Sequence, residues 1–375
     1  MRTNILGNQF DNVLKATSTI RESLYGLGGN DTFSLYHHDA GSSTVPDLSD
    51  RFFGGGGSDW LGSLSFDLTA DGQLNDYRGL SFDGGKGYDT VSSDVNVQMT
   101  GGFTLDLGQI KTSVTSVEHW DYDIALLTST GSGDFVVRSG KKDDTLEIQQ
   151  LASAAGNDVQ VRTLGGDDKV FYTAYQDVDD LLVKTGVGHD YFEFNGDWTV
   201  SAGLRVFTGK GKDTVIINGS TLATPDSLTA TISTGSGADT IVLEGMHAER
   251  LDAGSGADDI YVLTGNFTNA ADSISTGAGK DQLFLELDAY STVAILDDFS
   301  AADDVFVFDA EEATVSVPRN TDVTFKRSVW KNSDEDRLYM NNAKDKLFYG
   351  DNILVEFTTD VELTADNFTV GTWEF

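Results

Sequence analysis

The chain has 375 residues with 60 acidic against 25 basic, a formal charge of −35 and a pI near 4.1. Such a balance offers no basic face to nucleic acid or to an anionic membrane surface. The absence of cysteine removes disulfides and thiolate chemistry. No window is long and apolar enough to span a membrane, and the first residues lack the apolar stretch of a conventional signal peptide. Acidity alone fits solubility or a halophilic habit, but here the acids recur at turns.

Taken in order, the chain opens on a worn repeat. Ile5-Leu6-Gly7-Asn8 followed by Asp11-Asn12-Val13-Leu14 reads as a degenerate first coil. A six-residue pattern, Gly-rich and closed by aspartate, is clearer at 26–31, ending in Asp31, with Leu27 where a glycine is usual. It returns at 54–59 (Asp59) and 84–89 (Asp89), flanked by Phe52/Leu61 and Phe82/Val91. Residues 35–51 and 64–80 predict loops or lateral hairpins inserted into the coils. Phe103–Leu107 and Val114–Trp120 are strand-like. The pattern resumes at 139–144 (Asp144), with Lys142 in fourth place, and at 163–168 (Asp168), with Leu164 in second. Residues 130–134 carry their aspartate one place early. Five regular copies follow: T-G-V-G-H-D ending at Asp190, T-G-K-G-K-D at Asp213, T-G-S-G-A-D at Asp239, A-G-S-G-A-D at Asp258 and T-G-A-G-K-D at Asp281. Beyond Leu287 the pattern gives way to aromatic-rich, strand-like sequence.

All ten hexads that keep the final aspartate have an apolar residue two places before and two places after. In the regular block these are Val183, Val206, Ile232, Leu251 and Ile274, then Phe192, Val215, Ile241, Ile260 and Leu283. Inward positions in a strand recur with period two, so each copy reads as strand, tight turn, strand facing one interior. The aspartates of the block lie 23, 26, 19 and 23 residues apart. A unit at that spacing supplies one coil of a solenoid, because it cannot bury its apolar face alone. The glycine pairs Gly186/Gly188, Gly209/Gly211, Gly235/Gly237, Gly254/Gly256 and Gly277/Gly279 give the turn its left-handed backbone. The expected fold is all-β, a right-handed parallel β-solenoid. Its parts are degenerate coils over 1–128, regular coils over 129–287, and a β-rich cap over 288–375 that covers the last coil's edge.

Stacking places the ten aspartates in a column at a spacing of about 4.8 Å. Carboxylates that close cannot all stay ionised without a cation. Calcium suits the position, since it takes six to eight hard oxygens and the glycines of the turns add carbonyls. The bland alternative is that Gly and Asp merely make turns, which leaves their joint register with the apolar flanks unexplained.

The hexads and their flanks resemble the RTX, or haemolysin-type, nonapeptide repeats, G-G-x-G-x-D-x-U-x. The resemblance implies calcium held between consecutive turns by the aspartates and turn carbonyls. Residues 113–118 are similar to a spacer found between RTX blocks. Residues 363–368 resemble the C-terminal segment by which such proteins leave a bacterium through type I secretion machinery. Secretion to the extracellular space or cell surface is therefore the implied destination. Lys142, Leu164 and the early aspartate of 130–134 depart from the pattern and weaken the implication at their own turns.

Catalysis finds little support. The five histidines include His37-His38-Asp39, which reads as surface loop, and His189, which fills a variable hexad position. Acid pairs such as Asp143/Asp144 and Asp258/Asp259 alternate in direction along a strand and do not converge as an acid–base pair would. Trp60, Tyr77, Trp120, Tyr122 and Trp198 suit either contacts with a partner or the plugging of coil interiors. The expectation is a non-enzymatic, calcium-binding structural or surface protein that folds on extracellular calcium. It would assemble with itself as an oligomer or lattice (S-layer, sheath or matrix), or act as an adhesin on a cell-surface glycan. The alternative is a calcium-dependent extracellular enzyme that modifies polysaccharides, of lyase or epimerase type.

Overall fold

The computed structural model describes residues 3–16, 21–34, 50–68, 81–97, 103–107, 114–115, 117–127, 134–152, 158–174, 180–196, 203–219, 230–244, 248–263, 272–285, 294–309, 338–340, 343, 345–349 and 352–371. His37–Asp39, Tyr77, Trp198, the early-aspartate turn at 130–133 and most of the two expected insertions lie outside them. Residues 64–68 are not loop but the end of a strand, Trp60–Leu68. The fold is all-β, a parallel β-solenoid. Among the described residues no helix is long and apolar enough to cross a membrane. The chain forms two compact units, Met1–Val178 and Asp179–Phe375.

The second unit shows the construction most plainly. Strands entering the hexads pair side by side in parallel: Asp180–Val187, Leu204–Lys210, Ala230–Ser236, Ala248–Asp252, Asp272–Ser275 and Ala294–Leu296. Strands leaving them do the same: Tyr191–Gly196, Thr214–Gly219, Thr240–Glu244, Asp259–Leu263, Gln282–Leu285 and Val305–Asp309. Each coil thus hydrogen-bonds to the coils before and after it. The expected register is observed, with Val183, Val206, Ile232, Leu251 and Ile274 opposite one another in turn, and Phe192, Val215, Ile241, Ile260 and Leu283 likewise. All of these side chains are buried. Stacked apolar columns of this kind let short coils share one core that none could form singly.

The sequence pattern hid a second apolar layer. Val242, Tyr261, Phe284 and Val307 stand opposite one another between the inward positions, yet they are buried and cluster with Leu263. Tyr261 and Phe284 stack at 3.9 Å. Strands buried on both faces read as continuous apolar runs, and Ile260-Tyr261-Val262-Leu263 and Val305-Phe306-Val307-Phe308 are such runs.

Coiling continues past residue 287. Asn352–Phe357 adds in parallel to Ala294–Leu296, and Phe368–Gly371 to Val305–Asp309. Only then do Lys346–Tyr349 and Leu338–Met340 pair antiparallel along the sheet. Phe306 stacks on Phe299 at 4.6 Å and on Phe368 at 5.7 Å, while Phe357 meets both Phe299 and Phe306 edge-on, closing the interior at this end with rings.

The first unit has the same plan with a slip in it. Thr90 lies opposite His119, and His119 lies opposite Asp143. Asp89, Glu118 and Lys142 therefore share one register, and Asp144 falls opposite Trp120, two residues out of step with Asp89. The aspartates do not occupy one place on every coil, as the repeat alone suggests. A shift of two preserves which residues face inward, whereas a shift of one would turn the strand inside out. Trp120 and Tyr122 fill the interior at the slip, stacked at 5.6 Å and fully buried. Trp60, by contrast, is partly exposed.

Candidate metal centre

The hexad turn is built by glycine. All ten glycines of the five regular pairs have positive φ. At Gly256, φ is +153° and a Cβ would fall 1.3 Å from the carbonyl oxygen of Gly237 on the preceding coil. No side chain fits there, and coils can approach this closely only at glycine.

That same approach shows what the paired glycines do in the turn, most clearly Gly188, Gly211 and Gly279 in position four. The Gly188 oxygen lies 1.6 Å from where a Cβ of Gly211 would stand, and the Gly211 oxygen 1.5 Å from that of Gly237. Both oxygens are thus pressed against the next coil's α-carbon. The N–H groups of Gly188 and Gly211 are engaged as well, donating to the carbonyls of Lys210 and Ser236 at 2.9 Å. Gly279 receives the Gly256 oxygen in the same way, is exposed, and has no glycine turn after it, since the next coil reads Ser300-Ala301-Ala302-Asp303-Asp304. In position two the oxygens of Gly186, Gly209, Gly235 and Gly254 lie 1.9–2.2 Å from the Cβ positions of Gly209, Gly235, Gly254 and Gly277. These glycines shape the turn and pack coil on coil. In position one the Gly54 and Gly84 carbonyls stand near a carboxylate oxygen, as the aspartates show.

Just past the turn, every predicted aspartate is buried: Asp31, Asp59, Asp89, Asp144, Asp168, Asp190, Asp213, Asp239, Asp258 and Asp281 are at most 2% exposed. They form a hydrogen-bonded ladder rather than an open column of charge. The backbone N–H of one aspartate donates to Oδ1 of the aspartate one coil further on. In the first unit Asp31 donates to Asp59 at 2.8 Å, Asp59 to Asp89 at 2.7 Å and Asp144 to Asp168 at 2.9 Å. In the second, Asp190 donates to Asp213, Asp213 to Asp239, Asp239 to Asp258 and Asp258 to Asp281, all at 2.8–2.9 Å. Backbone donors to a carboxylate favour its charged form.

The ladder has members that the hexad pattern missed. Asn12 begins it by donating its N–H to Asp31 Oδ1 at 2.8 Å. Glu118 accepts from Asp89 N–H at 3.1 Å, taking an aspartate's place in a coil with no Gly turn. Asp304 accepts from Asp281 N–H at 3.1 Å and from Ser300 N–H at 2.8 Å. Asn367 donates its amide to the carbonyls of Ala301 and Asp304. The apolar residue two places on was a usable signal for three of them, Leu14 after Asn12, Trp120 after Glu118 and Phe306 after Asp304.

Two further ladders flank the first. Residues in hexad position five accept from the backbone of the next coil: Asp11 from Asn30, Asn30 from Ser58, Asp143 from Asp167, and His189 Nδ1 from Lys212 at 2.7 Å. His189 is exposed, as expected of a variable position, but it is a rung of this series. In position one, buried threonines donate Oγ1 to the next coil's carbonyl: Thr185 to Thr208, Thr208 to Thr234, and Thr234 to Ala253.

Several carboxylates are left short, Asp281 behind Thr276 among them. Gly26, Gly54, Gly84 and Ala253 open the hexads of Asp31, Asp59, Asp89 and Asp258, and each of these aspartates keeps a buried Oδ2 that accepts no hydrogen bond. A Cβ on Gly54 would lie 2.1 Å from Asp59 Oδ2 and 2.3 Å from the carbonyl oxygen of Gly84. On Gly26 it would lie 1.9 Å from Asp31 Oδ2 and 2.6 Å from the Gly54 oxygen. Two hard acceptors thus face one gap with no donor between them. Burial, and then the neighbouring rungs, push Asp258 up to about 7 and Asp59 up to about 6, against the opposing backbone hydrogen bonds. Asp281 rises to about 6 for the same first cause, with Asp304 adding to it. Asp239 is raised by burial but held back by its backbone donor and the Thr234 hydroxyl.

Among the described residues no three His, Asp or Glu side chains gather as a metal cluster. A cation here would take one or two carboxylates and complete its shell with backbone carbonyls, which calcium accepts readily. The orphaned Oδ2 atoms and their facing carbonyls fit that requirement. Fold and site together define a parallel β-solenoid with an internal acidic ladder. In comparison with known proteins, no family model, curated protein or solved structure matches the chain.

Proposed function

We propose that this chain is a calcium-binding structural protein of the RTX type, secreted to the cell surface or the surrounding space, and that calcium completes its fold there. The observation that carries this reading is the set of buried Oδ2 atoms on Asp31, Asp59, Asp89 and Asp258, which receive no donor from the protein. A buried carboxylate without a partner is costly unless it is protonated or meets a cation. These residues, with the position-one carbonyls beside them, would hold the ion, which supplies the positive charge the ladder lacks. Extracellular calcium modules work at about 10⁻⁴–10⁻³ M, and a site at tenfold excess over its Kd adds about 1.4 kcal/mol. Several such sites are comparable with the whole stability of a domain, so export would act as the folding switch.

A non-catalytic role in self-assembly is supported by the first described coil. Among the described residues Thr3–Leu6 pairs with Glu22–Tyr25 and Val13–Lys15 with Thr32–Ser34, and Leu6, Phe10 and Val13 are 67%, 77% and 81% exposed. Exposed apolar side chains grouped on one coil suit contact with another chain. The test is thermal melting and electron microscopy of the protein in calcium and in chelator. Calcium should raise the melting point steeply and produce filaments or sheets. An unchanged melt after chelation would end the calcium reading.

One observation favours the enzyme alternative. Asp94, Asp123 and Glu147 stand opposite one another on adjacent strands, with Asp121 two residues away. Burial, and then mutual repulsion, raises the carboxyls of Asp123 and Glu147. Adjacent carboxylates pushed upward are a pattern of acid–base chemistry. Cleavage of an acidic polysaccharide, abolished by Asp123→Asn, would establish it.

A further inference from the structure

Asn12 occupies the ladder position that the following coils give to aspartate, yet its side chain does something none of theirs can. Its Nδ2 donates to the carbonyls of Asn8 and Phe10 on its own turn, and to Asp31 Oδ1 on the next coil at 2.9 Å. One nitrogen is therefore ringed by two turn carbonyls and a carboxylate oxygen. Those are the oxygen types that a calcium ion collects. In the next coils position six carries no donor, and Oδ2 of Asp31, Asp59 and Asp89 is left buried without one.

The far end of the same series is also closed by a nitrogen. Lys142 shares the register of Asp89 and Glu118, donates Nζ to the Val117 carbonyl at 2.5 Å and lies 3.8 Å from Glu118. Between these ends stand three steps bridged by backbone N–H, their rungs carrying no side-chain nitrogen: Asp31–Asp59, Asp59–Asp89 and Asp89–Glu118.

We propose that Asn12 is a built-in substitute for the cation, an amide that closes the first turn of the ladder without metal, and that Lys142 does the same at the series' other end. Calcium in this series is then confined to the steps between them. The end coils stay closed in chelator, and the series is loaded from its middle. This rests on the calcium reading given above.

The test compares Asn12→Asp and Asn12→Leu in the full chain, with calcium stoichiometry from native mass spectrometry and melting curves in calcium and in EGTA. Asn12→Asp should bind one more calcium than the parent. It should melt below the parent in EGTA and return to the parent's melting point in calcium. Asn12→Leu keeps the size but has neither donor nor ligand, so it should melt low in both. If Asn12→Asp gains no ion and melts as low as Asn12→Leu in calcium, while the parent binds calcium, this inference fails alone. A parent that takes up no calcium overturns the calcium reading and this inference with it.

Discussion

The backbone N–H of Asp59 donates to Oδ1 of Asp89 at 2.7 Å, across 30 residues of sequence and one coil of structure. This contact separates two roles of the same carboxylate. Oδ1 holds the coils in register, and Oδ2, buried and without a donor, is the oxygen that needs a cation. Asparagine in place of Asp89 keeps the first role and abandons the second. Asp89→Asn should melt at or above the parent in EGTA, and should lose part of the calcium-induced rise. Asp89→Ala strands the Asp59 N–H and should cost about 1–3 kcal/mol in either condition. Melting curves of both variants, with and without calcium, separate the two oxygens.

Acid should stabilise the metal-free protein. The carboxyls of Asp258 and Asp59 are raised to about 7 and about 6 from an ordinary value of 3.8, chiefly by burial. A carboxyl raised in the folded state binds its proton more tightly there than in the unfolded chain. The advantage is fully present below the unfolded value and is lost as pH rises through the folded one. In EGTA the melting point should therefore fall as pH is taken from about 4 to about 8, steepest at about 5, between the unfolded and folded values, and levelling off above about 7. Relief of the −35 net charge acts in the same direction. In saturating calcium the slope should flatten or reverse, because the ion competes with the proton for the same oxygens.

The coils were legible because their signals are local. Gly at a left-handed turn and apolar residues at fixed offsets from Asp190, Asp213 and Asp239 need no knowledge of distant contacts. What the sequence concealed depends on neighbours one coil away. Glu118 joins the ladder without a glycine turn, with only Trp120 two places on as a local signal, and its hydrogen bond from Asp89 makes it a rung. The two-residue slip that sets Asp144 opposite Trp120 leaves every inward position intact, so the alternation carries no trace of it. Thr185, Thr208 and Thr234 look like ordinary turn residues until their hydroxyls are seen to reach the next coil's carbonyls. The oxygens of Gly188 and Gly211 abut the next coil's glycine, a contact that no single hexad displays. Aspartates that appear as an open acidic edge are interior, and the preceding coil's backbone donates to Oδ1 of Asp59, Asp89 and Asp258.

The threonine series gives a calcium-independent prediction. Thr208 is fully buried and donates Oγ1 to the Thr234 carbonyl at 3.1 Å. Thr208→Val keeps the β-branched shape that suits a strand and removes only the donor. The expected cost is about 1 kcal/mol, read as a lower urea midpoint. The loss should be equal in calcium and in EGTA, since the hydroxyl serves a carbonyl and not the ion.

The last prediction sets two adjacent glycines of one hexad against each other. Gly57 has φ of +128°, and a Cβ there would lie 2.0 Å from the carbonyl oxygen of Gly29 on the coil before. Gly56, one residue earlier in the variable third position, has nothing within 4 Å of the same atom. Gly57→Ala combines a left-handed backbone that costs a residue with Cβ about 1–2 kcal/mol with a clash against backbone that cannot rotate away. It should destabilise by at least about 3 kcal/mol, and should open the step beside Asp59 so that hydrogen exchange over 51–61 accelerates. Gly56→Ala should be neutral, or stabilising by a few tenths of a kcal/mol through the unfolded state. Equal effects at the two positions would mean that the turn is held by something other than the approach of one coil's carbonyl to the next coil's glycine.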